Sequence, residues 1–482
     1  MNKRSVIIRN LKKTDFTSYC YHNSMTKKGN SRARKLAAFL LFLFSVLTAL
    51  LPVFIMTEPV SATITEGGEA TAEDIGLLTD KISAAYLYNI ENDKLIYSLN
   101  ENEVIYPTST VKIMTGILAI EALSYDLSRE VEITEEMVAG VAGNNIELKA
   151  GDVLTVESLL YALLVGGAND AAQALAILID GSVEAFVARM NERARELGAE
   201  NTHYTNPSGI HDDAMITTVA DTAKIALAAY EIPLFMEITS TSKYIVHIIN
   251  RDIYRNVYSK NYLISTSSVL KYYYKDAAGI NSGFTKQGGY CVVTTASRDN
   301  LTYLAIVMGA SSDEETDTIY SYTEVTKLLD YAFASYANIE LVKAGEMICE
   351  IPVELSGTTD YVTLVTADSL VMYLPTSIDI EKEVLYSYKT LSNYLTAPVT
   401  EGQRAGVLTV MYHDEIVGNI DLVTTVSVAR SEFLYTLEKI KEFATSSFFI
   451  STVIASVVIT ILYILGKAIY LAKKSKYKGR FS

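Results

Sequence analysis

The 482-residue chain has no tryptophan, three cysteines, five histidines and eight prolines. Three cysteines are too few for a disulfide scaffold, and none forms a Cys-x-x-Cys pair or joins a Cys/His cluster with zinc spacing. Cys20 lies in a basic leader. Cys291 and Cys349 sit in apolar strand-like runs, where a buried free thiol is the ordinary reading. So little histidine speaks against a metal hydrolase, and neither a metal nor another cofactor is expected. Charged residues make up only 20% against 49% apolar, which excludes wholesale disorder and leaves material for two or three domains.

Positive charge is scarce except at the two ends. Residues 1–62 hold ten Lys/Arg against Asp15 and Glu58, a net +8, and Lys467 to Ser482 hold six against none. With the chain at −15, residues 63–466 carry −29. A body that acidic repels phosphate backbones, so nucleic acid is not an expected partner.

Long hydrophobic runs occur only twice. Leu36 to Met56 is apolar, follows Arg32, Arg34 and Lys35, and precedes Pro59-Val60-Ser61-Ala62. Small residues at −3 and −1 of a cleavage after Ala62 give the layout of a signal peptide, an uncleaved signal anchor being the alternative. Starting at Met25 gives an n-region of ordinary size. The second run, Phe448 to Leu465, is free of charge over a helical length of about 27 Å, close to the hydrocarbon thickness of a bilayer. Lys467, Lys473, Lys474, Lys476, Lys478 and Arg480 follow it, which predicts a cytoplasmic tail and an exported body.

Between these runs, Thr63 to Thr79 is a Gly/Thr/Glu-rich stalk. Ala84–Asn89 and Lys94–Ser98 flank the polar turn Glu91-Asn92-Asp93, a hairpin signal. Helical patterns cover about Thr110–Leu123, Val156–Leu164, Asp170–Ile179 and Val183–Leu197, and strand-like runs return at Tyr290–Ser297 and Leu301–Gly309. Sheet partners that far apart argue an α+β fold. A helix at about Tyr320–Ala337 closes it. From Leu341 to Val428, short β-branched runs between polar turns form a small all-β module, and Glu432–Phe443 is helical.

Chemistry concentrates in Tyr106-Pro107-Thr108-Ser109-Thr110-Val111-Lys112-Ile113-Met114-Thr115. Ser and Lys at i, i+3 share one side of a helical turn, so the amine reaches the hydroxyl. A serine at a helix N-terminus also offers its free N–H to a developing oxyanion. Ser-x-x-Lys recurs from Ser24, Ser240, Ser268 and Ser475, but only Ser109 combines a preceding hairpin, a proline and a following apolar helix.

This region resembles the serine D-Ala-D-Ala carboxypeptidases, the low-molecular-mass penicillin-binding proteins, whose motifs are Ser-x-x-Lys, Ser-x-Asn and Lys-Thr-Gly. Ser109 to Thr115 matches the first. Gly167-Ala168-Asn169 and Asn281-Ser282-Gly283 stand where the second and third belong. Asn206-Pro207-Ser208-Gly209 and Thr217-Thr218 to Asp221 match linking landmarks. The resemblance implies a β-lactamase/transpeptidase-like domain over 80–338, an antiparallel sheet with a helical cluster. An all-β domain at 341–430, a juxtamembrane helix at 431–447, a transmembrane helix at 448–466 and a basic tail at 467–482 follow. It implies that Ser109 acylates, Lys112 takes its proton, and Asn169 bonds Lys112 and the substrate backbone. Asn281, Ser282, Gly283 and Phe284 then line the substrate, with the N–H groups of Ser109 and Phe284 as the oxyanion hole. The implied partners are peptidoglycan stem peptides, β-lactams as covalent inhibitors, and the membrane.

Two motifs depart from the family. Gly167 replaces its Ser, and Asn281 and Ser282 replace its Lys and Thr. A neutral Asn forfeits a charge-assisted contact worth roughly 1.5–3 kcal/mol. The Ser282 hydroxyl and Lys286 are candidate substitutes. Two functions therefore stand open: an active carboxypeptidase, or an impaired penicillin-binding homologue with a wall-binding or regulatory role. Tyr272-Tyr273-Tyr274, His203 and His211 are assigned to packing and local bonding rather than catalysis.

Overall fold

The computed structural model describes residues 78–265 and 271–478. The signal-peptide, start-site and Cys20 readings, and nearly all of the stalk, fall outside them. Two compact units emerge: one runs to Asn338 and takes in Tyr373–Ser377, the other holds Ile339–Met372 and the chain from Ile378.

The first unit is built on an antiparallel sheet of five strands: β1 (Ala84–Asn89), β2 (Lys94–Leu99), β3 (Ala277–Thr285), β4 (Gly289–Arg298) and β5 (Leu301–Ala310), in the order β2-β1-β5-β4-β3. Alternation along β5 gives each face its own core. Leu304, Ile306 and Met308 enter the helical cluster, while Tyr303, Ala305 and Val307 pack with Val325, Leu328 and Leu329 of the helix Tyr320–Ser335. Each Leu, Ile, Met or Val among them, once fully buried, contributes roughly 1.5–3 kcal/mol of transfer free energy.

The cluster surrounds α1 (Val111–Leu123), buried on nearly every side, as a core helix must be when apolar all round. Around it lie α2 (Val156–Leu164), α3 (Asn169–Asp180), α4 (Val183–Glu196) and α5 (Val219–Tyr230). The hydroxyls of Thr155, Ser182 and Thr218 cap α2, α4 and α5, each accepting a backbone N–H at 3.1 Å, and α3 stops at Gly181 with φ +77°. The hairpin Lys243–Ile248/Ile253–Tyr258 was not expected from the sequence.

The second unit contains a six-stranded sheet in the order Val384–Thr390, Arg404–Tyr412, Glu415–Thr424, Tyr361–Thr366, Met347–Glu354 and Leu395–Thr396. Helix Glu432–Thr445 leaves Phe433, Leu437, Ile440 and Phe443 exposed on a 3–4 residue spacing. Of the helix Ser447–Lys478, the stretch Ser447–Leu471 is long and apolar enough to cross a membrane. Cys291 and Cys349 are both free thiols, Cys291 buried as expected and Cys349 only partly so.

Candidate active site

Ser109 sits in a 3-10 turn, Thr108–Thr110, that feeds directly into α1. The turn is held by the Thr110 hydroxyl, which donates to Pro107 O at 2.6 Å, and by Thr108 in the left-handed region at φ +54°. A β-branched residue there stores roughly 1–2 kcal/mol of strain, sustained only by the packing around it. Lys112 follows in the first turn of α1 and is 1% exposed. Its amine donates to Ser208 O. Burial, and secondarily the neighbouring charge of Lys260, push its pKa down to about 7, so at neutral pH much of it is free base.

The Asn206–Gly209 loop holds this turn in place. Asn206 Oδ1 accepts the N–H groups of Ser208 and Gly209 at 3.1 and 2.8 Å, and the Thr115 hydroxyl donates to Pro207 O at 2.7 Å. Gly209 has φ +78°, and a Cβ there would lie 2.0 Å from Thr108 O. The loop therefore presses on the backbone just before Ser109.

Strand β3 passes Ser109 on its other side. A Cβ on Gly283 would fall 2.3 Å from Ser109 Cβ and 2.8 Å from its Oγ, so the main chain lies directly against the serine. Phe284 is half exposed and its ring meets Tyr290 at 4.3 Å between centroids. The Ser282 hydroxyl donates to Lys260 O, so its proton is already engaged within the protein. Asn281 is 6% exposed, and its Oδ1 has no hydrogen-bond partner among the described residues. Ser109, Lys112, Gly167, Lys260 and Asn281–Phe284 all line one cleft of about 310 Å³.

Asn169 begins α3 but departs from the role that the resemblance implies. Its Nδ2 donates to Ala142 O at 2.8 Å, and its backbone N–H to Asn144 O at 2.7 Å. A bond between Asn169 and Lys112 is not among those formed by the described residues. The cause is the segment before α2: Asn144 Nδ2 donates to the carbonyls of Gly166 and Gly167, and the Asp170 carboxylate accepts the N–H groups of Ile146 and Leu148. That segment is tied down over the start of α3 and takes the Asn169 amide.

Gly167 adopts φ +65°, and a Cβ built on it would lie 3.3 Å from Lys260 Cγ. Gly167→Ser is therefore expected to lower stability by roughly 1–2 kcal/mol through backbone strain. It should leave turnover unraised, although it returns the family's hydroxyl; a melting curve beside steady-state rates checks both.

Lys286 lines a neighbouring cavity of about 570 Å³, not the one holding Ser109. Tyr272 accepts the Ile319 N–H at 2.7 Å and donates to Asp317 O at 3.2 Å, while the cleft is lined by Tyr262, Tyr290 and Tyr322. His211 bonds Asp213 at 3.1 Å, a local contact as expected. Sequence reasoning missed Lys260 and Asn144. Lys260 stands 21 residues before Asn281, with no local pattern to mark it.

The family described as D-alanyl-D-alanine carboxypeptidase, peptidase S11, matches residues 76–312, and the C-terminal domain of penicillin-binding protein 5 matches 336–430. The chain is 29% identical over 400 residues to the D-alanyl-D-alanine carboxypeptidase DacF of Bacillus subtilis, covering 81% of this chain and 96% of that one. It is 24% identical to DacC of Escherichia coli, covering 72% and 84%. The fold is that of a peptidoglycan synthesis regulatory factor, PBP3, from Streptococcus pneumoniae, with a TM-score of 0.52 at 22% identity over 73% of this chain and all of the other. Turn, loop and strand thus meet around a serine and a buried amine within residues 76–312, the part of the chain that matches the D-alanyl-D-alanine carboxypeptidase family, the S11 peptidases.

Proposed function

We propose that this protein is an exported, membrane-anchored serine carboxypeptidase that removes the terminal D-alanine from peptidoglycan stem pentapeptides. Ser109 Oγ attacks the carbonyl carbon of the penultimate D-Ala while the Lys112 amine takes the hydroxyl proton. The C–N bond then breaks, the proton passes to the departing amine, and D-alanine leaves. Water attacks the resulting ester and returns the proton to Ser109. The N–H groups of Ser109 and Phe284 stabilise the oxyanion in both steps. β-Lactams enter the same path and stay as the acyl-enzyme. The uncharged part of helix Ser447–Leu471, up to Leu465, anchors the chain, with Lys467 and the basic residues after it inside and the catalytic unit outside.

The observation that carries this reading is Lys112, a wholly buried amine one helical turn from Ser109 with its pKa near neutrality. The competing reading, a penicillin-binding homologue that acylates without turning over, draws on Gly167, which offers no hydroxyl for returning the proton. Release of D-alanine from a D-Ala-D-Ala-terminated pentapeptide by the full chain in detergent, lost in Ser109→Ala, is the expected result. Covalent labelling by benzylpenicillin with no such release would leave the non-hydrolytic reading in its place.

A further inference from the structure

Among the described residues, the cleft around Ser109 holds two charged side chains, Lys112 and Lys260, and no aspartate or glutamate lines it. That is unusual in a body carrying −29 over residues 63–466. Lys112 is wholly buried and bonded to Ser208 O, which leaves it no free reach. Lys260 differs: it is exposed and forms no ion pair among the described residues.

Three contacts fix where Lys260 stands. Its carbonyl accepts the hydroxyls of Ser282 and, at 2.9 Å, of Tyr322. The next residue, Asn261, donates its Nδ2 to Gly279 O at the start of β3. The segment is thus fastened to the strand that carries Asn281. Its side chain runs across Gly167, with Cγ 3.3 Å and Cε 3.9 Å from the place a Cβ at that position would take. The stem occupies the space beside the residue where the family's second motif has a serine. The two departures from the family are therefore linked in space. Gly167 leaves room for a lysine stem, and Asn281 leaves the cleft floor without a cation.

We infer that Lys260 supplies the positive charge missing at Asn281 and receives the C-terminal carboxylate of the peptide, or the carboxylate of a β-lactam. The inference deepens the proposed function and rests on it. Lys260 is a substrate-binding residue rather than the base. It lines the cleft together with Lys112, Tyr262 and Tyr322, and among the described residues no acid lines that cleft to compete with a ligand's carboxylate. Asn281, whose buried Oδ1 lacks a donor, stands ready to accept one from the ligand or from the amine.

The test compares benzylpenicillin with its neutral methyl ester on the full chain in detergent, following acylation of Ser109 by intact mass. The wild type should prefer the free carboxylate. Lys260→Gln should lose roughly 10- to 100-fold toward benzylpenicillin and less than about threefold toward the ester, collapsing that preference. Lys260→Arg should keep it, and Lys260→Gln combined with Asn281→Lys should recover it by returning a cation to the third motif. Matching melting temperatures establish that the variants are folded, and the arginine and double variants read the same preference where the glutamine variant is not. Equal losses on both compounds, no loss, or failure of the double variant to recover would overturn the assignment. A wild type that neither compound acylates would instead overturn the reading of Ser109, and this inference with it.

Discussion

Lys112→Met is expected to slow acylation of Ser109 by roughly 10²- to 10⁴-fold, the range by which a positioned base accelerates proton transfer. Methionine matches the length of the stem and removes only the amine, so the cavity stays filled. The Ser208 carbonyl loses its donor, a secondary cost of roughly 1–3 kcal/mol. The wild-type pH profile should carry an acid limb centred near 7 in kcat/KM. The base must be unprotonated to accept the serine proton, and the folded-state pKa is lowered from 10.5 to about 7. Activity therefore rises as pH increases through that value and is lost below it. A profile flat from pH 5 to 9, or near-wild-type acylation by the methionine variant, would remove Lys112 from this role.

The same shift sets a stability trend. Between pH 7 and about 10.5 the unfolded chain binds the Lys112 proton and the folded chain does not, so this group makes stability rise with pH across that window. Below pH 7 both states hold the proton and its contribution is constant. The methionine variant should lack the slope, which the difference between two sets of melting curves would read directly. A buried amine that loosens the fold at neutral pH and also primes the nucleophile is the trade expected of a catalytic group.

What was legible in the sequence follows the strength of local signals. The hairpin β1–β2 showed itself through alternation around Glu91-Asn92-Asp93, and α1 through its apolar continuity after Pro107. The fold class rested on strand runs far apart in the chain, which the structure pairs in one sheet, and the Ser109/Lys112 pair on a three-residue spacing, both residues lining one cleft. Strand β3 was harder. Ala277-Ala278-Gly279-Ile280-Asn281-Ser282-Gly283 has little intrinsic β preference, and pairing to β4 makes it a strand. The hairpin Lys243–Tyr258 hid for another reason: Asn250, Arg251 and Asp252 form a turn without glycine, with Asp252 itself at φ +51°. Asn169 and Lys260 show the limit for the site. A motif position names a residue type but not the loop that competes for its side chain, and Ala142 takes the Asn169 amide from more than twenty residues upstream. Lys260 enters the cleft from a segment whose place is set by hydrogen bonds to β3, contacts that no local spacing encodes.

Gly283→Ala is expected to lower the acylation rate by about 10²-fold or more, since misplacement by an ångström is enough to lose that much. The added methyl would meet Ser109 Cβ at 2.3 Å, its Oγ at 2.8 Å and its Cα at 3.1 Å, distances that force something to move. Ser109 cannot yield easily. Its turn is held by the Thr110–Pro107 bond, by Thr108 at positive φ and by the Gly209 loop pressing on Thr108 O. Strand β3 yields more readily, because it is the edge of its sheet and, among the described strands, pairs with β4 alone. It should swing away from Ser109, taking the Phe284 N–H out of reach of the oxyanion and Asn281 and Ser282 away from the ligand. Because the movement is borne by the Gly283–Thr285 end of an edge strand, beyond its core residue Ile280, the melting temperature should fall by only a few degrees, of order 1–3 kcal/mol for overpacking. The expected signature is thus a large kinetic loss beside a small thermal one, measured as second-order acylation by benzylpenicillin and as a melting curve on the same sample. Acylation within threefold of wild type would mean that β3 does not hold the reacting geometry, and that the oxyanion is stabilised from elsewhere.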